Sequence, residues 1–335
     1  MKQTASDAER LRTWHHLSGA RRKPSEYEIT SVDYWYPTNH AGSGQPFQAI
    51  AKTEPVNQWY ARWQDGTALR HSDWHAFRDP DEVIYRGYTA LQDGQEQYVE
   101  GVLDRFDEEG HDLLLPENWV RTLARLYAPS RFLLHTVQML SAYACSMSPT
   151  STVGLVHSYQ AGDALRWVSR VAYRTAELRD KRPGFGFGER ERALWEQDPA
   201  WQGFRELMER LLVAYDFGET AIVLALVAKP AVDECLVTQF GRAARSAGDT
   251  VAAMLADAQR KDVERSRRWT TAFARFVLRE PGNAPVIADW IARWTPLADA
   301  AIDAWCAALP DGAALAATAR AATRAFRDET LAPPA

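Results

Sequence analysis

The sequence contains one Glu-x-x-His, at Glu108 and His111. On a continuous helix that spacing sets a carboxylate and an imidazole one turn apart on the same face, as helical bundles present ligands to iron. Its setting, Asp107-Glu-Glu-Gly-His-Asp112, is polar throughout and has a glycine inside the motif. That reads as an exposed, fraying helix end, and a single ligand pair without partners is weak evidence for metal. A second stretch, Asp163-Ala-Leu-Arg-Trp167, lies in a run where Ala161, Ala164, Leu165, Val168, Val171 and Ala172 recur at helical spacing. Arg166, Arg170, Arg174 and Glu177 fall on the opposite side, so one face is buried and one is polar. Ala164 and Trp167 stand one turn apart on this run, and neither can bind a metal ion.

The remaining candidates are weaker. Gln259-Arg-Lys-Asp-Val-Glu-Arg265, at the matching place in the second half, has carboxylates but no histidine. Lys229 ends an apolar run where a single carboxylate would be wanted, and an ammonium there repels a metal ion. It reads as a helix-end lysine at the surface or in an ion pair. Glu219, in Phe-Gly-Glu-Thr, is better explained by a buried hydrogen bond. Gly184-Phe-Gly-Phe-Gly188 lacks the strand and the lysine of a phosphate cradle, and His15-His16 has no spaced co-ligands. No nucleophile stands with a base, so the sequence offers no catalytic residue and no metal ligand set.

The elements that would position these residues are helical. Pro116 and Pro129 mark helix starts, and Asp79-Pro-Asp-Glu82 combines an N-cap, a first-turn proline and acids at the positive end of a helix dipole. Glu206 to Ala228 reads as one helix, amphipathic at first and apolar after Thr220, with a kink or break at Pro230. A long helix runs from Gly248-Asp249 through Trp269, and short amphipathic helices are expected around Trp290, Trp305 and Ala317. No alternating strand pattern is visible, so the class is all-α. Helix pair, break, helix pair and a helical tail is the order of a ferritin-like bundle with added helices. Residues 1–78 are broken by Pro24, Pro37, Gly42, Gly44, Pro46, Pro55 and Gly66 yet rich in aromatics, and read as an arm that orders by lying on something. The helical domain is expected over residues 79–335.

The chain has 335 residues, 46% hydrophobic and 25% charged, and a net charge of −5. A sizeable core follows, and a nucleic-acid-binding surface is disfavoured. The basic cluster Arg21-Arg22-Lys23 reads as a solvated or partner-facing patch. Cys145, Cys235 and Cys306 are isolated and odd in number, as in a reducing cytoplasm. Met1 to Glu9 carry no apolar signal core, and the longest apolar run, Ala221 to Ala228, is too short to span a bilayer. A cytoplasmic location off the membrane is expected. Thirteen tryptophans fit either a partner interface or a Trp-rich core.

Asp163-Ala-Leu-Arg-Trp167 resembles the Asp-Glu-x-Arg-His element of carboxylate-bridged di-iron proteins, with Ala164 in the glutamate slot and Trp167 in the histidine slot. Other stretches extend the likeness, among them Thr13-Trp-His-His-Leu17, Arg22-Lys-Pro-Ser-Glu-Tyr27, Leu91-Gln-Asp-Gly-Gln-Glu96, Trp201-Gln-Gly203, Arg205-Glu-Leu-Met-Glu209 and Trp294-Thr-Pro-Leu-Ala-Asp299. Together they resemble the β subunit of the hydroxylase component of bacterial multicomponent di-iron monooxygenases, in the toluene/aromatic branch. The resemblance implies a ferritin-like (ribonucleotide-reductase-like) subunit without catalytic residues or a cofactor of its own. It implies α and γ partners in a dimer of heterotrimers, with the di-iron centre in α. It also implies service by an effector protein, a Rieske-type ferredoxin and an NADH-dependent flavin reductase. The aromatics Trp35, Tyr36, Trp59 and Trp63 are expected to lie partly against α. Alternatives are a β subunit of a phenol or alkene/isoprene monooxygenase of the same family, or a stand-alone di-iron oxidase using Glu108 and His111.

Overall fold

The computed structural model describes residues 25–32 and 54–332. The order begins with a π-helical turn, Glu28–Val32, then α1 (Pro55–Tyr60), α2 (Tyr85–Glu108), α3 (His111–Leu114) and α4 (Glu117–Thr122). Next come α5 (Ser130–Ser146), α6 (Ser151–Lys181), α7 (Glu191–Gln197), α8 (Pro199–Leu212), α9 (Phe217–Val223), α10 (Lys229–Asp233) and α11 (Phe240–Ser246). The last three are α12 (Thr250–Val277), α13 (Asn283–Cys306) and α14 (Gly312–Leu331). No strand occurs among the described residues.

Two helical hairpins make the centre. The short link between α5 and α6 lays them along each other, and α11 turns back into α12 through Ala247–Asp249. The chain crosses from the first hairpin to the second by way of α7 and α8, the long connection of a ferritin-like bundle. α13 packs on α8, and α14 lies against α13 and α12. Side-chain carboxylates start three of these helices: Asp198 accepts from Ala200 N (2.9 Å), Asp216 from Glu219 N (2.9 Å) and Asp249 from Ala252 N (2.9 Å).

Several elements depart from the sequence reading. Asp79 does not start a helix. Its carboxylate accepts from Asp81 N (3.0 Å) and Val83 N (3.2 Å), closing a turn in which Glu82 takes φ 45°, and α2 begins only at Tyr85. The helix expected over 206–228 is two helices, split where Tyr215 adopts φ 58° and Asp216 caps α9. Pro230 breaks nothing. The chain stays helical from Phe217 to Ser246 because π-wound turns, Leu224–Ala228 and Glu234–Gln239, flank α10. A π turn shifts the hydrogen-bond register by one residue, which helps accommodate a residue that has no N–H to donate. Trp290 and Trp305 share one helix, α13, with Pro296 inside it, rather than two short ones.

Eight tryptophans lie in the core (Trp119, Trp167, Trp195, Trp201, Trp269, Trp290, Trp294 and Trp305), so for these the core reading holds. Residues 54–78 are tied into the same core. Leu69 and Phe77 are each 1% exposed, Gln64 Nε2 donates to Ser148 O (2.8 Å), and Thr67 Oγ1 donates to Asp216 (2.7 Å). No described helix is long and apolar enough to cross a membrane.

Candidate functional site

The helical spacing of α6 and α12 brings two similar pentads face to face: Asp163-Ala-Leu-Arg-Trp167 and Asp262-Val-Glu-Arg-Ser266. Each Asp accepts from the other pentad's Arg. Arg265 pairs with Asp163, and Arg166 pairs with Asp262. Trp167 Nε1 also donates to Asp262 (2.9 Å). α2 lies across the pair and completes it. Gln92 Nε2 bridges Asp163 (2.8 Å) and Asp262 (3.2 Å), Tyr88 OH donates to Asp163 (3.1 Å), and Glu96 accepts from Arg166 (2.8 Å). Two arginines against two buried aspartates keep the layer close to neutral, which a buried ionic cluster requires. Burial, reinforced by the charge of Asp262, pushes the Asp163 carboxyl up to about 6 against the pull of Arg265. Burial and the Asp163 charge likewise push the Tyr88 hydroxyl above its ordinary range.

Inside this layer, in the second and fifth places of the pentads, stand Ala164, Trp167, Val263 and Ser266, all buried. Below them a cavity of about 20 Å³ is bordered by Ala164, Trp167, Val263, Gln160 and Lys229, room for about one water molecule. Lys229 Nζ bonds both oxygens of Asp233 (2.9 and 2.8 Å), and Gln160 Nε2 donates to Ser141 Oγ (2.9 Å). A bundle di-iron centre draws on four carboxylates and two imidazoles. The carboxylates nearest this cavity are already held by Arg166, Arg265 and Lys229, and no imidazole borders it. This donor set does not fit a di-iron centre. Among the described residues, no three or more of His, Cys, Asp and Glu gather in a metal-binding arrangement.

The Glu108-x-x-His111 pair is not on one helix face. α2 ends at Glu108, Gly110 takes φ 66°, and His111 opens α3. Glu108 is exposed, while His111 Nε2 sits 3.2 Å from Asp249, which also accepts from Trp119 Nε1 (2.8 Å). Glu219 accepts from Trp294 Nε1 (2.7 Å) and Arg293 (3.1 Å). Trp59 and Trp63 group around Tyr215, with ring centroids 4.9 and 5.7 Å from it, and Trp59 remains 39% exposed. Trp35 and Tyr36 lie outside the described residues, as do His15-His16 and Arg21-Arg22-Lys23. Cys235 and Cys306, isolated in sequence, meet in the core with Sγ atoms 4.0 Å apart, and burial pushes the Cys235 thiol up.

Sequence reasoning missed two features. The Gln259–Arg265 stretch stands out in the sequence for carboxylates without a histidine, but its Asp262-x-x-Arg265 spacing, which repeats that of Asp163 and Arg166, goes unread there. His157, on α6, is fully buried with its ring edge-on to Trp269 (5.1 Å), and burial lowers its pKa to about 4. A histidine among Val153, Val156 and Tyr159 carries no signal that separates it from a surface residue.

The family model of methane/phenol/alkene hydroxylases matches residues 52–281. The chain is 44% identical over 299 residues to the hydroxylase component subunit beta of the toluene-4-monooxygenase system of Ectopseudomonas mendocina, covering 89% of this chain and 90% of that one. It is 27% identical over 236 residues to an oxygenase component of phenol 2-monooxygenase from a Pseudomonas species, covering 69% and 70%. Among solved structures it superposes on a chain of toluene 4-monooxygenase with toluene bound in the resting active site, at TM-score 0.84 and 43% identity, covering 90% of this chain and 98% of that one. A phenol hydroxylase chain from a Pseudomonas species shares the fold at TM-score 0.78 and 24% identity, covering 92% and 91%. A family match over residues 52–281, with 44% identity to a relative across most of both chains, places the chain: it belongs to the methane/phenol/alkene hydroxylase family.

Proposed function

We propose that this chain is the β-type subunit of the hydroxylase component of an aromatic-hydrocarbon monooxygenase, and that it supports a separate di-iron α subunit without catalysing a step itself. The observation that carries the reading is the filling of the pentad frame. Where ligands would stand, Ala164, Trp167, Val263 and Ser266 pack the interior, and Lys229 holds a positive charge beside them. A bundle that does not bury four ligand carboxylates escapes their desolvation cost and can be packed tightly. Such a bundle gives α a rigid surface, and a preorganised metal site depends on rigid support.

The likeness to a toluene-4-monooxygenase β subunit supports toluene or a related arene as the substrate of the whole enzyme. The likeness to a phenol 2-monooxygenase component keeps phenol as the second reading. On this reading α and γ subunits complete a dimer of heterotrimers, and an effector protein, a Rieske-type ferredoxin and an NADH-dependent reductase serve it. The test is co-expression of the tagged chain with the hydroxylase genes beside it. A stable complex that oxidises an arene, with no activity in either the tagged chain or the remainder alone, is expected. Arene oxidation by the isolated chain, or failure to recover any hydroxylase subunit, would overturn the reading.

A further inference from the structure

The first half of α2 is built inside out. Its inward side is polar, with Gln92 and Gln95 buried against the Asp163 and Asp262 layer. Its exposed side carries Leu91, 48% exposed, and just past the midpoint Tyr98, 43% exposed, with Lys261 of α12 over one side of its ring at 5.7 Å. A helix places apolar residues outward without cost only when something covers them. The outward residues also fall in order. Gly87, Leu91, Gly94, Tyr98 and Gly101 are spaced four, three, four and three apart, the seam spacing of a helix packed along another helix. All three glycines are exposed, and a Cβ at Gly94 or Gly101 would meet nothing within 4 Å. Each costs about 1 kcal/mol of helix stability relative to alanine, and the described chain shows no neighbour that requires them.

Charge narrows the occupant. α2 holds six acids (Asp93, Glu96, Glu100, Asp104, Asp107, Glu108) and two bases, Arg86 and Arg105. Glu96 and Glu100 pair with Arg166 and Arg170, and Asp107 pairs with Lys181. Arg86 and Arg105 are taken by Glu26 and Glu109. Asp93, Asp104 and Glu108 form no salt bridge among the described residues, and Asp104 and Glu108, three and seven residues after Gly101, fall beside and on the seam. A second copy of the chain would bring like charge against them, whereas a basic flank would neutralise them.

We propose that the outward face of α2 docks a helix of a partner hydroxylase subunit, with large apolar side chains seated over Gly94 and Gly101 and Lys or Arg opposite Asp104 and Glu108. The proposal rests on the subunit reading above and names the surface that reading leaves open. It is tested by measuring assembly of the full-length chain with its co-expressed hydroxylase subunits for Gly94→Leu, Gly101→Leu and Asp104→Lys. The leucine variants should keep or raise the Tm of the free chain, because the space beyond is open, while weakening assembly at least tenfold. Asp104→Lys should weaken it too, and less so at high salt. Parental affinity in all three variants would overturn the docking face while leaving the subunit reading intact. A lowered Tm of the free leucine variants would overturn it in favour of coverage by the chain's own residues, and conversion of a free dimer to monomer in favour of a second copy. A parent chain that assembles with no hydroxylase subunit would overturn the subunit reading and this face with it.

Discussion

His157 and Asp163, two turns apart on one helix, titrate in the same pH range with opposite effects. The folded chain keeps His157 neutral down to about pH 4, whereas in the unfolded chain it takes up a proton near 6.5. Stability from this residue is therefore present above pH 6.5 and is lost as pH falls towards 4, about 3 kcal/mol in all. Asp163 works the other way. Its folded pKa, about 6, lies above the ordinary 3.8, so falling pH between those values favours the folded chain. His157→Leu should remove the first effect and leave the second. Thermal unfolding at pH 7 and pH 5 is expected to show a smaller acid loss in the variant than in the parent, and equal losses would show that His157 is not the titrating group. Arg265→Met removes the main cation of Asp163 and should cost about 3–5 kcal/mol in urea unfolding. A cost under about 1 kcal/mol would mean that the layer is not the buried ionic cluster described above.

At the scale of elements, the pentad on α6 was legible because its Asp and Arg kept their spacing inside a clear amphipathic run. The stretch on α12 was legible only as carboxylates at the matching place, because with Val263 and Ser266 in the ligand places only Asp262 and Arg265 carry the pentad signal, and the neighbouring Asp257 and Glu264 hide it. Helix starts at Pro116 and Pro129 were readable from local chemistry. The turn at Tyr215, the passage through Pro230 and the late start of α2 were not, since each is settled by packing or by a left-handed residue that sequence does not announce. Restoring ligands in one pentad, Ala164→Glu with Trp167→His, should create no oxygenase activity in this chain, because α12 still lacks its own pair. It should instead lower stability. Trp167 is buried and bonded to Asp262, and losing a packed tryptophan costs of order 3–5 kcal/mol. An unchanged thermal midpoint would contradict the buried placement of this face.

For the whole molecule, the all-α bundle was readable from the succession of helices, while the extent of its core was not. Aromatic residues between Trp59 and Phe77 find their partners far away in sequence, at Tyr215, Phe217, Phe273 and Phe276. Removing residues 1–53 should leave the helical content of the free chain nearly unchanged and lower its Tm modestly, because Tyr27, bonded to Asp79, and Ser31, bonded to Ser151, leave buried positions. Removing residues 1–78 should lower both sharply, because Leu69 and Phe77 leave the core. Equal behaviour of the two truncations in circular dichroism would contradict that account. The central claim is that this bundle supports a di-iron partner without holding iron itself. Iron analysis of the chain purified alone, beside the same chain in its complex, tests it most directly. Less than a tenth of an iron per isolated chain, with the iron of the complex following the partner subunit on separation, is the result predicted. Close to two irons held by the isolated chain, and lost on Glu108→Ala or His111→Ala, would contradict it.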